Sequence, residues 1–284
     1  MMRYDIVIIG AGISGLTTAA ALFEKGVQNV LVVDYQQDRG GFASPFHQMA
    51  SFSLEREIVQ KSHTLPYDIW TQATVIGFFP GDGGEAHQIY VQTVTGTKTV
   101  EAKIVVIASG ALEKPREAHR IAGTRPAGVM TPSMVAQLLK RGFLPGEKIT
   151  LLDTGRMTKG IAELLADQDV ELYMFDSDEW EVVEVAGRAR LEEVRLQHWA
   201  NQDRLSQPCD TLIYSRGRIP SSFFLKGTPV KRDESHAILI DEKGRTNVER
   251  VFATGSCTSL GDDEHLVSIG LARNMVPELL KSVK

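Results

Sequence analysis

A short apolar run near the start of the chain, residues 5–9, is typical of a strand that is buried on both faces of a parallel sheet. Small and apolar residues at helical spacing over residues 16–24 predict a helix that packs closely on this strand. A second apolar run over residues 29–33 predicts the next strand. Together these elements form one βαβ unit of about thirty residues.

The next part of the chain alternates between apolar and polar residues. Residues 67–79, 88–95 and 98–102 show the alternation that predicts antiparallel strands joined by glycine-containing turns. Residues 104–108 return to the continuously apolar pattern and predict another buried strand. Three prolines between residues 115 and 132 then indicate a linker.

The strand, turn, helix and strand pattern occurs a second time after this linker. Residues 148–152 and 170–175 predict two buried strands, and residues 161–166 predict the helix between them. Two more short strands are predicted over residues 238–240 and 251–253. The chain therefore contains the same supersecondary unit twice.

A closing helix predicted over residues 266–280 follows the last of these strands. We therefore predict an α/β fold with two Rossmann-like domains of three-layer ββα architecture, the second inserted into the first. The expected boundaries give a discontinuous first domain, residues 1–112 and 236–284, and an inserted domain, residues 113–235.

Composition narrows the class of protein. The 284 residues are 43% hydrophobic and 24% charged, with a formal net charge of -5, as in an ordinary globular protein with no basic track for nucleic acid. No apolar stretch approaches the roughly 20 residues of a membrane span. The two cysteines, Cys209 and Cys257, are far apart, and the histidines show no metal-ligand spacing. We expect a cytoplasmic protein without a disulfide framework or a metal site.

The turn after the first strand carries the chemistry. Gly10, Gly12 and Gly15 form a Gly-x-Gly-x-x-Gly pattern, in which the glycines allow a tight turn, a close approach of pyrophosphate and close helix packing. The helix N-terminus favours the phosphates. Asp34 follows at the end of the second strand, where a carboxylate accepts hydrogen bonds from a ribose and repels a 2′-phosphate. The pattern predicts a dinucleotide site that disfavours NADP.

Two further segments carry a family resemblance. Residues 107–111, Ile-Ala-Ser-Gly-Ala, and residues 251–255, Val-Phe-Ala-Thr-Gly, are each a strand that runs into a glycine. With the glycine turn, they resemble the signatures of flavoproteins with two dinucleotide-binding domains, the pyridine nucleotide-disulfide oxidoreductase superfamily. The resemblance covers nearly the full length of the chain and implies FAD as the cofactor.

Residues 121–131, residues 209–213 and the motif Gly217-x-x-Pro220 resemble one branch of that superfamily. The branch contains the FAD-binding subunits of opine oxidases, hydrogen cyanide synthase and dye-linked proline dehydrogenase. The resemblance implies that electrons pass from a small organic donor to an acceptor, with a second oxidoreductase subunit or a homo-oligomer as partner. It also implies the residues of the FAD site: Gly10, Gly12, Gly15, Asp34, Gly41, Val75, Ser109, Gly110, Gly255 and Ser256.

The sequence departs from the superfamily pattern at the second glycine turn. Residues 153–158 read Asp-Thr-Gly-Arg-Met-Thr, so a carboxylate, Asp153, stands where the first glycine belongs. A carboxylate there would repel a pyrophosphate, which makes binding of NAD(P) by the inserted domain doubtful. The alternative is that Arg156 and Lys159 compensate by reaching the phosphates while Asp176 takes a ribose.

Further departures lie near the end of the chain. Ser256 stands where the superfamily usually has an acid that hydrogen bonds to the ribityl chain of the flavin. Cys257 and His265 are the weak candidates for catalysis: Cys257 has no resolving thiol and suits packing, and His265 suits either helix capping or proton transfer. Asp262 and Asp263 are expected to cap the closing helix.

Three functions remain open at this point. The first is an FAD-dependent oxidoreductase, or the FAD-binding subunit of one, that acts on a small-molecule substrate. The second is an NAD(P)H-dependent flavin reductase of the thioredoxin-reductase type, for which the chain lacks a dithiol and an intact second glycine turn. The third is a non-catalytic subunit that binds only an adenine nucleotide in the glycine turn.

Overall fold

Apolar strands and small-residue helices build the chain in the order that the sequence predicts. The computed structural model describes residues 2–261 and 265–282. The strands are β1 Met2–Ile9, β2 Val30–Val33, β3 Asp68–Trp70, β4 Thr74–Phe79, β5 His87–Thr93, β6 Gly96–Ile107, β7 Ala111–Glu113, β8 Ala122–Gly123, β9 Val129–Met130, β10 Lys148–Asp153, β11 Glu171–Asp176, β12 Trp180–Gly187, β13 Leu191–His198, β14 Arg204–Pro208, β15 Thr211–Ile213, β16 Arg218–Pro220 and β17 Val251–Ala253.

Six α-helices are described. They are α1 Ile13–Glu24, α2 Ser53–Ser62, α3 Arg116–His119, α4 Pro132–Lys140, α5 Arg156–Leu165 and α6 Leu266–Lys281. Short 3-10 helices cover Gly41–Phe46, Ala50–Phe52 and Phe223–Leu225. Within the described residues, no helix is both long and apolar enough to cross a membrane.

The chain divides into two units. The first unit comprises Met1–Leu112 and Ile219–Lys284, and the second comprises Glu113–Arg218. The chain thus returns to the first unit at Ile219 and not at the expected residue 236. The reason is packing: Leu225 and Val230 belong to the core around β1 and β6, and the Ser222 hydroxyl donates to the carbonyl of His236 at 2.6 Å.

The sheet of the first unit has the order β3-β2-β1-β6-β5-β4. β1, β2, β3, β6 and β17 are parallel, whereas β5 is antiparallel to both β4 and β6. The long strand β6 serves both arrangements, because its first half pairs with β5 and its last three residues pair with β17. Two predicted strands, 98–102 and 104–108, are therefore one.

Two other strand predictions were wrong in detail. The run over residues 67–79 is two strands, and β3 is parallel to β2 rather than part of an antiparallel set. Residues 238–240 form no strand, because Ile238 makes isolated bridges to Arg232 and Thr258. In both segments, the pairing is decided by partners elsewhere in the chain.

Tight packing in the first unit follows from its residue types. Ile6, Val7 and Ile8 of β1 are completely buried, as expected for the centre of a parallel sheet. Small residues of α1, such as Thr18 and Ala19, are also completely buried, so that the helix lies close to its neighbours, α2 and α6.

The second unit has three layers. A parallel sheet with the order β11-β10-β15-β9 lies between the helices α4 and α5, which pack on each other, and a second sheet with the order β14-β13-β12-β8. Leu152 and Leu212 of the first of these sheets share a core with Val185, Val194 and Leu196 of the other. The predicted α/β fold with two Rossmann-like units, one inserted into the other, is confirmed.

Candidate functional site

Two glycines of the first turn are required by the fold itself. Gly10 follows β1 with a φ of +115°, and a Cβ at this position would lie 2.1 Å from the carbonyl oxygen of Ala108. A Cβ on Gly15 would lie 1.9 Å from the carbonyl oxygen of Gly10. Side chains at either position would therefore separate α1 from the sheet.

The fold does not explain the remaining glycine of this turn, Gly12. Gly12 has φ and ψ of -73° and -178°, an extended conformation open to any residue, and a Cβ there would meet no atom within 4 Å. Gly12 is also the N-cap residue of α1, whose first N–H groups have no partners within the helix. A glycine that leaves open space in front of a helix N-terminus fits an approaching phosphate group.

A second glycine pair borders this space. The N–H of Gly40 donates to the carbonyl of Ala11 at 2.8 Å, and Gly41 adopts a φ of +60°. A Cβ on Gly41 would lie 3.2 Å from the Cα of Gly12. Gly41 thus adjoins the N-terminus of α1, and a side chain there would narrow the space that Gly12 leaves open.

Asp34 lies at the end of β2 and is buried. Its Oδ2 accepts from the N–H of Ala11 at 2.5 Å, and its Oδ1 accepts from the N–H of Gln36 at 2.7 Å. Burial raises the pKa of this carboxyl, although both hydrogen bonds oppose the rise. The carboxylate is therefore fixed beside the glycine turn and gains from any further donor, such as a ribose hydroxyl.

A cleft of about 260 Å³ opens between the carboxyl ends of the strands of the first unit. It brings together four predicted site residues, Gly10, Asp34, Val75 and Ser109. Its volume lies below the roughly 300–1,000 Å³ of pockets that enclose whole ligands. The cleft is therefore of a size for one part of a dinucleotide, and it lies beside Asp34.

The sequence did not single out several residues that line this cleft. Tyr35 and Thr74 flank Asp34 and Val75, and Ser221 and Phe224 come from the segment that returns to the first unit. Tyr35 and Thr74 could have been found, because each is next in sequence to a predicted residue. Ser221 and Phe224 carry no local signal, and long-range packing brings them to the cleft.

The remaining predicted residues form the continuation of this surface. The hydroxyl of Ser109 donates to the carbonyl of Ser221 at 2.6 Å. Gly110 has a φ of +70°, and a Cβ there would lie 3.9 Å from the Oγ of Ser256. A Cβ on Gly255 would lie 2.6 Å from the Oγ of Ser14 in the first turn of α1. The strand ends after β6 and β17 thus meet at the N-terminus of α1.

Cys257 is buried beneath this surface and contacts Ser109 and Gly110. Its side chain is completely buried in the core of the first unit, and its thiol donates to the carbonyl of Thr254 at 3.3 Å. Burial raises the pKa of the thiol, which disfavours the reactive thiolate. The structure gives Cys257 the surroundings of a packing residue.

His265 is the N-cap residue of α6, yet its side chain makes no capping hydrogen bond. Its Nδ1 instead lies 2.9 Å from Oε1 of Glu55, a buried residue of α2. Asp262 and Asp263, the expected caps, lie outside the described residues. Among the described residues, no group of three or more His, Cys, Asp and Glu is placed to hold a metal ion.

The second glycine turn is held by its own carboxylate. Asp153 Oδ1 accepts from the N–H of Gly155 at 3.0 Å and from the hydroxyl of Thr158 at 2.6 Å. The Lys159 ammonium lies 3.8 Å from the Oδ2 of Asp153. The donors that a pyrophosphate would use are paired with an anionic group of the protein.

Comparison with known proteins agrees with this arrangement. A family model described as pyridine nucleotide-disulphide oxidoreductase matches residues 154–278, and one described as an NAD(P)-binding Rossmann-like domain matches residues 8–65. A ferredoxin–NAD(P)(+) reductase from a Sphingomonas species is 24% identical over an alignment of 333 positions. The alignment covers 99% of this chain and 72% of that protein.

Solved structures share the fold. L-proline dehydrogenase from P. horikoshii superposes with a TM-score of 0.77 and 19% identity, covering 99% of this chain and 55% of that chain. This chain therefore spans about half the length of that protein. Thioredoxin reductase from T. acidophilum superposes with a TM-score of 0.67 and 20% identity, and each chain is covered completely.

The fold, the open glycine turn and these matches define a class of protein, the FAD-dependent oxidoreductases with Rossmann-like domains. Within that class, the chain is similar to the pyridine nucleotide-disulphide oxidoreductases, whose family model matches residues 154–278. The predicted family, cofactor and enzyme class are confirmed.

Proposed function

We propose that this chain is the FAD-binding subunit of an oxidoreductase that takes electrons from a small organic donor other than NAD(P)H. The FAD would lie across the carboxyl ends of the first unit's strands, with its pyrophosphate at Gly12 and Gly41 and its adenosine ribose at Asp34. Bound FAD supplies the electron-accepting group, and the protein supplies its position and surroundings.

The observation that carries the choice of donor is the state of the second glycine turn. The carboxylate of Asp153 already accepts from Gly155 and Thr158. An incoming pyrophosphate would have to displace this carboxylate and overcome its charge, which Lys159 at 3.8 Å offsets in part. These contacts favour a donor that reaches the FAD without binding to the second unit as a dinucleotide.

The thiols argue against a reductase of the thioredoxin-reductase type. Cys209 and Cys257 are the two cysteines of the chain, and both are free and buried. A dithiol that exchanges with a disulfide needs two neighbouring sulfurs, and at least one of them must be accessible. Free thiols also suit the cytoplasmic location that we propose.

The donor class follows from the resemblance to the opine oxidase and proline dehydrogenase branch. L-proline dehydrogenase shares the fold over 99% of this chain, and its name gives a secondary amine as substrate. We propose an amine donor of that kind and a second oxidoreductase subunit, or a second copy of this chain, as partner. This part of the proposal rests on the branch resemblance.

Two measurements test the proposal. Mass spectrometry of the ligand released from the denatured protein should detect FAD, whereas an adenine nucleotide alone would support a non-catalytic nucleotide-binding subunit. Anaerobic spectra should then show that L-proline and related secondary amines bleach the flavin absorbance faster than NADH does. Rapid bleaching by NADH would contradict the proposal and favour the reductase.

A further inference from the structure

A buried carboxylate pairs with an imidazole where the last helix begins. The Nδ1 of His265 lies 2.9 Å from the Oε1 of Glu55, and the side chains are 16% and 1% exposed, respectively. Glu55 lies on the buried face of α2 with Ile58 and Val59. A buried carboxylate is unfavourable unless hydrogen bonds compensate it, so this contact is part of what holds Glu55 in the core.

The contact determines which nitrogen of the imidazole can react. A carboxylate at Nδ1 favours the tautomer with its proton on Nδ1, so that Nε2 is left as the basic nitrogen. The backbone of His265 is left-handed, with a φ of +66°, a conformation that is unfavourable for a residue other than glycine. Two apolar side chains could fill the space of Glu55 and His265 without burying a charge, so packing alone does not explain this pair.

The pair lies near the strand ends that form the candidate FAD site. Ser268, in the first turn of α6, accepts from the hydroxyl of Thr254 at 3.5 Å. Thr254 precedes Gly255, where a Cβ would lie 2.6 Å from the Oγ of Ser14. These contacts connect the first turn of α6 to the first turn of α1, at whose N-terminus Gly12 leaves space for a phosphate.

Other charged groups lie on the same two helices. Glu57 of α2 has a lowered pKa, chiefly because of Lys61 and also because of Arg273 on α6. These groups are exposed, whereas Glu55 is buried and contacts the imidazole. In sequence, the acidic residues 262–264 directly precede His265.

We propose that His265, oriented by Glu55, binds and releases a proton in step with the redox state of the bound FAD. Two electrons on the FAD add negative charge to the site, which favours the imidazolium form. One proton then moves from solvent to Nε2 and forms an N–H bond, and it returns to solvent on reoxidation. His265 is the proton site, and Glu55 is its positioning residue. The inference rests on the proposed function, because it requires bound FAD.

The test measures the midpoint potential of the FAD-loaded protein from pH 5.5 to 8.5 by equilibration with reference dyes. The slope of potential against pH gives the number of protons taken up with each electron pair. Within this pH range, the wild type should show an interval, the window, over which reduction takes up more protons than it does at lower or higher pH. The difference should be up to one proton per electron pair. A slope that stays constant over the whole range overturns the inference.

Three variants locate the effect. His265→Asn keeps a donor toward Glu55 but lacks Nε2, and it should lose the window, as should His265→Gln. Glu55→Gln should keep a window but change its position on the pH axis, because the imidazolium loses its anionic partner. The matched control is His63→Asn, which alters an exposed histidine at the other end of α2 and should leave the wild-type slopes unchanged.

The outcomes separate this inference from the proposed function. A window that persists in both His265 variants overturns the inference while FAD binding stands. A protein that neither contains FAD nor takes it up overturns both. The wild-type slopes are informative by themselves, so poor folding of a variant would still leave the inference open to contradiction.

Discussion

Single atoms decide what each glycine of the first turn does. Gly10 is needed for the backbone and for packing, because its φ is +115° and its Cβ would lie 2.1 Å from a carbonyl oxygen. At Gly12 the same test finds no atom within 4 Å. One motif therefore contains glycines that the fold requires and one that the fold does not require.

This separation gives a first prediction. Gly12→Ala should melt at the wild-type temperature in the absence of FAD but bind FAD at least about tenfold more weakly, a loss of about 1.4 kcal/mol, because the new methyl group enters the phosphate space. Gly10→Ala should lower the free energy of unfolding by more than about 2 kcal/mol. Thermal melts and FAD titrations measure both. Equal loss of stability in the two variants would contradict the assignment.

His87 gives a second prediction at this scale. The side chain is completely buried against Phe78, and burial, with a contribution from Arg250, lowers its pKa from 6.5 to about 4. Between pH 6.5 and about 4, His87 therefore binds a proton in the unfolded chain but not in the folded protein. Stability from the neutral imidazole is thus present above pH 6.5 and is lost as the pH falls through 4, by roughly 1–3 kcal/mol.

Urea unfolding at pH 7 and at pH 4.5 checks this expectation. His87→Gln should show a smaller loss of stability between the two pH values than the wild type does, because glutamine does not titrate. His63→Gln, at an exposed position, should behave as the wild type. An unchanged pH dependence in His87→Gln would assign the acid sensitivity to other groups.

At the scale of elements, the two βαβ units differ in what occupies the helix N-terminus. In the first, Gly12 caps α1 and leaves open space. In the second, Asp153 at the end of β10 accepts from the N–H of Gly155 and the hydroxyl of Thr158 in front of α5. The same supersecondary structure is thus open to a ligand in one copy and closed by a side chain in the other.

Asp153→Ala should therefore lower the stability of the protein. It leaves the N–H of Gly155 and the hydroxyl of Thr158 without this acceptor, at an expected loss of about 1–3 kcal/mol. Asp178→Ala, at an exposed position two residues after the end of β11, should change stability by less than about 0.5 kcal/mol. Urea titration compares the two, and equal effects would show that the carboxylate does not hold the turn.

At the scale of the whole molecule, the candidate site belongs to one of the two units. Every predicted FAD-site residue lies in residues 1–112 or 219–284. The chain leaves this unit after Leu112 and returns to it at Ile219. These two points are close, because the N–H of Ser221 donates to the carbonyl of Gly110 at 2.9 Å. A short glycine-serine linker can therefore replace the second unit.

Excision of residues 113–218 should leave FAD binding within about tenfold of the full chain. Bound FAD should also raise the melting temperature, because a ligand at 100 times its Kd adds about 2.7 kcal/mol of stability. Asp34→Ala in the excised protein is the control that should weaken both effects. An excised protein that folds but does not bind FAD would show that the second unit contributes to the site.

The sequence alone determined the local features of this protein. Gly10, Gly12, Gly15 and Asp34 are close in the chain, and the roles that we propose for them follow from turn geometry and helix electrostatics. The apolar runs predicted most strands for the same reason, since periodicity is a local property. The damaged second turn was also visible from the single position Asp153.

Only the tertiary structure decided the features that depend on distant residues. The return of the chain at Ile219, the union of two predicted strands in β6, and Ser221 and Phe224 in the cleft all arise from long-range packing. The burial of Glu55 does have a local signal, because its spacing from Ile58, Val59 and Ser62 places it on the buried face of the helix α2. Its partner His265 lies 210 residues away, and no local pattern encodes a contact across that distance.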